Sequence, residues 1–240
     1  MSIGNVMQHT LDVINQSYPL TEKSVGEFAK VKAKGMTFLI RQYEAKGLGN
    51  VSVMEAKGFF GLMQMDTLIV NPLEKDLPLY SYDRILAMGN DTLIIELYDT
   101  LLEKRDLAEI QKIKNDYRDL PEHELGEHWY DSIKLPESVS KKGKKEHSAS
   151  FDKLAKAYFQ TFLAGSSAQE PEAANTVSAD GGIVADTGNC DIAAKRQKAS
   201  VYVEGLLSNG GPSTDVFKKE FGEGKTACLF RNILFGTGEK

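Results

Sequence analysis

MTFLIRQYEA (Met36–Ala45), VSVMEAKGFF (Val51–Phe60), GLMQMDTLIV (Gly61–Val70), LPLYSYDRILAM (Leu77–Met88) and DTLIIELYDT (Asp91–Thr100) follow one another almost without interruption. Each run is rich in β-branched and aromatic residues, the composition of strands. The separators Lys46-Gly47-Leu48-Gly49-Asn50, Asn71-Pro72-Leu73-Glu74-Lys75 and Gly89-Asn90-Asp91 are short and turn-like. Antiparallel neighbours can be joined by such turns, whereas parallel strands need a crossover of a dozen residues or more. The central sixty-odd residues therefore predict a meander of four or five strands.

On both sides of the meander the pattern turns helical. Val6, Met7, Leu11 and Ile14 recur at helical spacing until Pro19. A second short helix is expected from Thr21, through Phe28 and Val31, to Gly35. Beyond the meander, Leu107, Ile110, Ile113 and Tyr117 mark an amphipathic helix, and Leu120–His147 reads as irregular. A helix over Phe151–Phe162 precedes GSSAQEPEAANTVSADGG (Gly165–Gly182), which is small, polar and aperiodic and is expected to be a mobile loop. Ala193–Leu207, Ser213–Phe221 and Thr226–Leu234 complete the helices, with Pro212 and Gly222–Gly224 as breaks. Residues 1–240 read as one α/β domain.

A net charge of −5 and a pI near 5.5 argue against a duplex nucleic-acid binder, which needs a local excess of Lys and Arg. Two cysteines, Cys190 and Cys228, are too few for an iron–sulfur cluster. No run approaches the ~18 apolar residues of a membrane span, and Met1–Tyr18 has no continuous apolar core of a secretory signal. The expectation is a cytoplasmic protein without a membrane partner. GxGxxG and GxxxxGK[ST] are both missing, so no phosphate-cradling loop is proposed.

The unusual feature is an acid in the middle of four strands: Glu55 in VSVMEAKGF, Asp66 in LMQMDTLIV, Asp83 in LYSYDRIL and Glu96 in LIIELY. Burying an ionised carboxylate without a partner is costly enough that the group tends to keep its proton. A carboxylic acid neutral near pH 7 can act as a general acid. The other reading is that each acid faces water or pairs with Arg41, Arg84 or Lys57 on a wet sheet face. Strand pattern alone leaves both open.

DTLIVNPLEKDLPLYSYD (Asp66–Asp83) resembles the core signature of the ferredoxin-dependent bilin reductases, in which a strand, a Pro-containing turn and Asp-Leu-Pro lead to a second strand. Asp76-Leu77-Pro78 carries it, and Asp83 then falls on the family's catalytic aspartate. The C-terminal KRQKASVYVEGLLSNGGPSTDVFKKEFGEGKTACLFRNILFG is similar to the family's closing helices through Gln197, Tyr202, Pro212, Phe221-Gly222 and Leu234-Phe235. The two segments keep their order and cover about a third of the chain.

The resemblance implies a three-layer α/β/α sandwich, a central antiparallel sheet flanked by helices, with a linear tetrapyrrole such as biliverdin between the sheet and the C-terminal helices. It implies no bound cofactor and no metal, with electrons arriving singly from reduced ferredoxin or flavodoxin and protons from side chains, through a radical intermediate. Asp83 takes the catalytic role. A gapless comparison puts Asp66 where some members carry a histidine, and Glu55 lies near a catalytic glutamate of others. Gly211, before Pro212, departs from the family, many of whose members have an aspartate there. Red chlorophyll catabolite reductase shares the fold and leaves the substrate open, and a non-catalytic tetrapyrrole carrier is the alternative.

Other groups have two readings each. Arg196 and Lys198, on the helix before Tyr202, and Arg84 beside Asp83 are candidates for substrate propionates, or are exposed or structural charges. Lys141, Lys142, Lys144 and Lys145 in SKKGKKEH form a basic patch suited to an acidic ferredoxin, or a solvated loop. His123 and His128 have the wrong spacing for a helical zinc pair and read as surface residues. Trp129 and Tyr130 either wall a pocket or fill the core.

Overall fold

The computed structural model describes residues 4–167 and 190–238. After helix α1 (Asn5–Ser17) come β1 (Leu20–Lys23), β2 (Lys30–Ala33), β3 (Met36–Ala45), β4 (Gly49–Gly58), β5 (Met63–Asn71), β6 (Leu79–Ala87) and β7 (Asn90–Tyr98). They lead to α2 (Ala108–Asp116), β8 (Val139–Lys144) and α3 (Ser148–Ser167). After the undescribed segment stand α4 (Ile192–Asn209), α5 (Pro212–Phe221) and α6 (Glu223–Cys228), which runs on into a π-helical turn, Leu229–Leu234.

The expected meander is β3 to β7, every neighbouring pair antiparallel, in the sheet order β1-β3-β4-β5-β6-β7-β8. Three strands escaped the sequence reading. The helix expected over Thr21–Val31 is instead β1, a 3₁₀ turn at Gly26–Ala29, and β2. Gly26, at φ 55°, breaks any helix there, and both short strands find hydrogen-bond partners along the open edge of β3, Leu20 opposite Ala45 and Lys30 opposite Leu39. The stretch read as irregular contains β8, whose lysines hid it from a search for apolar runs. As the outer strand beside β7 it is where lysines belong, because they discourage pairing with another chain. The expected loop Gly165–Gly182 begins as the last turn of α3, and its remainder lies outside the described residues.

Both sheet faces are covered, and this explains why the strands are nearly continuously apolar rather than alternating. On one face Val53, Leu68, Tyr82 and Ile95 pack against α1, α2 and α3, where Tyr80 meets Phe159 edge to face and Phe162 at a tilt. On the other, Ile40, Met54, Ile69 and Tyr98 pack beneath α4, α5, α6 and the final turn. The architecture is the expected α/β/α sandwich.

Polar side chains of the sheet hold the C-terminal layer in place. A π turn leaves carbonyls without helical partners. Asn50 Nδ2 donates to the Leu234 carbonyl at 3.0 Å, Ser52 Oγ to the same carbonyl at 2.8 Å, and Asn71 Nδ2 to that of Phe235 at 2.7 Å. Gly236, at φ 63°, lets the chain lie so close that a Cβ there would stand 2.6 Å from Asn50 Cβ.

Asp76-Leu77-Pro78 has a structural task too. Asp76 accepts from the backbone N–H groups of Leu102 (2.8 Å) and Glu103 (3.1 Å). The wholly buried Lys195 of α4 donates to the carbonyls of Leu77 (2.6 Å) and Thr100 (2.8 Å). Burial pushes its ammonium pKa down to about 8. One lysine thus ties the turn before β6, the end of β7 and α4 together.

Candidate active site

Between the second sheet face and the C-terminal layer lies a cavity of about 200 Å³. Its floor is Met54, Met65, Thr67, Ile69, Asp83 and Ile94, its far wall Tyr202 and Leu206 of α4, and its rim His128, Tyr130 and the Gly211–Thr214 start of α5. The walls are mainly apolar, and two carboxylates reach into them.

Asp83 stands in the middle of β6, opposite Thr67 of β5 on one side and Ile94 of β7 on the other. Strand parity aims it into the cavity, while Tyr82 and Arg84 point to the other face. The carboxyl keeps some accessible surface because it lines the cavity, yet protein encloses it. Burial pushes its pKa up to about 6, the nearby Glu96 carboxylate adds to the rise, and the Thr67 hydroxyl, donating to Oδ1 at 2.5 Å, partly opposes it. The result is an acid that changes protonation close to neutral pH inside an apolar hollow, the property a proton donor needs.

Glu96, two residues past Ile94 on β7, is a diagonal neighbour of Asp83 on the same face. Tyr98 Oη donates to its Oε2 at 2.6 Å, and Lys134 Nζ lies 3.7 Å from Oε1. The Tyr98 ring stacks on Tyr202 with centroids 4.2 Å apart, and burial drives both phenol pKa values well above their ordinary range. Both hydroxyls therefore keep their protons, and that of Tyr98 is shared in its hydrogen bond to Glu96. His128 stacks almost parallel on Tyr130, centroids 4.8 Å apart, and among the described residues its buried Nδ1 has no hydrogen-bond partner.

Of the residues expected at the site, Asp83 and Tyr202 come together in the cavity with Tyr130, whereas Asp66, Glu55, Arg84, Arg196 and Lys198 lie elsewhere. Asp66 and Glu55 face each other across β4 and β5 on the opposite side of the sheet, beneath α1. Burial raises the pKa of both, and Asp66 raises that of Glu55 further, but the sheet separates them from the cavity. The side chain beside Asp83 belongs to Thr67, whereas Asp66, one residue earlier, takes the other face. Arg84 is also on the α3 side, paired with Asp91 (Nε to Oδ1, 2.5 Å) and lying over the Phe151 ring.

Lys198 donates to the Leu101 carbonyl. Arg196 lines a different hollow of about 280 Å³ beside the ends of β3 and β4, with Lys23, Glu44, Asn50, Glu74 and Asn232. That hollow is the larger, but its charges are mixed and it holds no enclosed acid. Lys141 is buried and donates to Glu122 and to the Leu120 carbonyl, so it leaves the basic patch, whereas Lys142, Lys144 and Lys145 are exposed. Tyr130 walls the cavity. Trp129 packs over Gly205 of α4 and donates to the Gly210 carbonyl at 3.1 Å, as core.

Thr67, Glu96 and His128 line the cavity without a site role in the sequence reading, which singled out Glu96 only as one of the four strand acids. The first two were reachable by counting strand parity outward from Asp83 across the turns. His128, read as a surface histidine, stands on a loop with no periodicity to place it.

A large antiparallel sheet between two helical layers, with an apolar cavity and an enclosed acid on one face, defines an α/β/α sandwich with a hollow against the sheet. The chain has the fold of phytochromobilin synthase: the crystal structure of the tomato protein in complex with biliverdin is similar to it with a TM-score of 0.72. The likeness covers 100% of this chain and 86% of the tomato chain at 16% sequence identity. Comparison with protein-family models and with curated proteins returned no match.

Proposed function

We propose that the protein binds a linear tetrapyrrole against the β4–β7 face and reduces it, with Asp83 as the proton donor and reduced ferredoxin or flavodoxin as the source of electrons. The observation that carries the reading is the Asp83 carboxyl, held near a pKa of about 6 in an apolar cavity. The biliverdin bound to the tomato protein of like fold supports the ligand class. Reducing one double bond takes two electrons and two protons, and a one-electron donor must act twice. Asp83 supplies a proton when the pigment gains negative charge and is recharged from solvent between steps. Thr67 orients its carboxyl, and the stacked Tyr98 and Tyr202 rings form a flat wall for a conjugated chain.

At about 200 Å³ the cavity is smaller than the roughly 300–1,000 Å³ of ordinary ligand sites. The bound form is therefore wider, with the Leu125–Tyr130 loop or the Gly211–Thr214 segment moved outward. Mixing the protein anaerobically with biliverdin and then with reduced ferredoxin tests the proposal. Pigment absorbance should change on binding and fall on reduction, and Asp83→Asn should bind pigment but stall. Absorbance left unchanged through many equivalents of reductant would sink it.

One observation favours a second reading, a pigment carrier. Gly211 lines the cavity where an aspartate would supply another donor, and it supplies none. Tight binding without bleaching under reducing conditions would select that reading.

A further inference from the structure

The sheet ends in a rim of turns that neither helical layer covers. β4 and β5 meet at Phe59-Phe60-Gly61-Leu62, and β6 and β7 meet at Met88-Gly89, side by side because Met63 pairs with Ala87. Phe60, Met88 and Leu62 are the three most exposed large apolar side chains among the described residues, Phe60 entirely so, and Phe59 beside them is more than half exposed. Phe59, Phe60 and Met88 have φ of 51°, 56° and 50°, a backbone region that bulky residues rarely occupy. Strained turns that present aromatics to water make no sense as packing.

Charge frames these tips. The β2–β3 turn brings Lys32 and Lys34 to the same end of the sheet, since Met36 pairs with Gly58, and Lys57 stands just below Phe59. On the other side Lys144 pairs with Asn90 and is followed by Lys145. Within these turns the acids are Glu146 and Asp91, and Asp91 is neutralised by Arg84. An otherwise acidic protein has thus gathered lysines around protruding apolar tips.

We propose that this rim docks the protein on an anionic lipid surface, Phe59, Phe60, Leu62 and Met88 entering the headgroup region and the lysines meeting lipid phosphates. Apolar and aromatic side chains inserted beside basic ones are what peripheral attachment requires, since a few apolar groups alone hold only marginally. A protein partner fits less well. A stable interface needs about 800 Å² from each side with interlocking shape, and convex tips of this kind bury only a few hundred Å². An acidic protein would engage the lysines and leave the aromatics in water. No helix among the described residues is long and apolar enough to cross a membrane, so attachment would be at the surface. The inference is independent of the chemistry in the cavity.

The test is co-sedimentation with vesicles of phosphatidylcholine alone and of phosphatidylcholine mixed with phosphatidylglycerol. The wild type should partition onto the anionic vesicles and be released by high salt. Phe60→Asn combined with Met88→Asn, residues that tolerate positive φ, should weaken partitioning roughly tenfold or more. In Phe60→Trp the added indole emission should shift to the blue on the same vesicles. A wild type that stays in the supernatant, a double variant that binds equally well, or an unshifted indole overturns the proposal, and binding to an acidic protein alone would reassign the rim.

Discussion

Replacing Asp83 by Asn should make the protein more stable at neutral pH relative to acid, and the size of the effect follows from the cavity. In the folded chain the carboxyl titrates near 6, against an ordinary value of 3.8. Between those values the native state holds a proton that the unfolded state has released. Stability therefore falls as pH rises through this window, and the full interval corresponds to about 3 kcal/mol. From pH 4.5 to 7.5 the wild type loses about 2 kcal/mol of it, and less where water entering the cavity screens the charge. Asn carries no charge, so its stability lacks this component. Its amide still accepts the Thr67 hydrogen bond, and any penalty for an unpaired amide N–H is the same at both pH values and cancels. Urea denaturation of both proteins at pH 4.5 and 7.5 measures the quantity: the stability of Asp83→Asn minus that of the wild type should be larger at pH 7.5 by about 1–2 kcal/mol. Parallel pH profiles would mean that the carboxyl is not enclosed, and the case for a proton donor would end with them.

Four other substitutions examine the surroundings. Thr67→Val removes the hydroxyl that holds Asp83 down, so the carboxyl should titrate above 6. Glu96→Gln removes a neighbouring negative charge and should shift it the opposite way. Carboxyl NMR titration or the pH profile of turnover reads both, and shifts of the same sign would refute the electrostatic picture. Gly205→Ala sets a Cβ 2.2 Å from the Trp129 ring and should destabilise by about 1–3 kcal/mol in thermal unfolding. Lys195→Ala empties a wholly buried site and strips the Leu77 and Thr100 carbonyls of their donor. A loss of about 2–4 kcal/mol is expected, and a neutral result would show that the lysine is no staple.

The meander was legible because its signal is redundant. Five apolar runs separated by turns admit few foldings, and the helices over Ala108–Asp116 and Ile192–Asn209 lie within a few residues of where periodicity puts them. β1, β2 and β8 were not legible, for a common physical reason. They are short edge strands whose partner, the open side of β3 or β7, supplies the stability that their own composition lacks. Lys141 shows the same dependence on context. In SKKGKKEH it looks like the lysines beside it, and only the pairing of β8 with β7 decides that it turns inward to Glu122 while Lys142 turns out.

The strand carboxylates are the deeper case, because the sequence identified the right anomaly and could not divide it. Glu55, Asp66 and Glu96 are buried and Asp83 is enclosed, so composition was a sound guide to all four. Their chemistry nevertheless separates by parity. Glu55 and Asp66 sit opposite each other under α1, whereas Asp83 and Glu96 share the face that carries the cavity. A strand alternates its side chains with a period of two, so an alignment out by a single residue moves a candidate through the sheet to the wrong layer. Asp66, one residue from Thr67, accordingly lies on the face away from the Asp83 carboxyl. It also means that a second acid able to act on a ligand in this cavity has to be sought along Ser81, Asp83 and Ile85 or Ile94, Glu96 and Tyr98. On those two rows the acids are Asp83 and Glu96. Glu96, held by the Tyr98 hydroxyl and lying near Lys134, raises the Asp83 pKa, and in the proposed reaction it is Asp83 that delivers the proton.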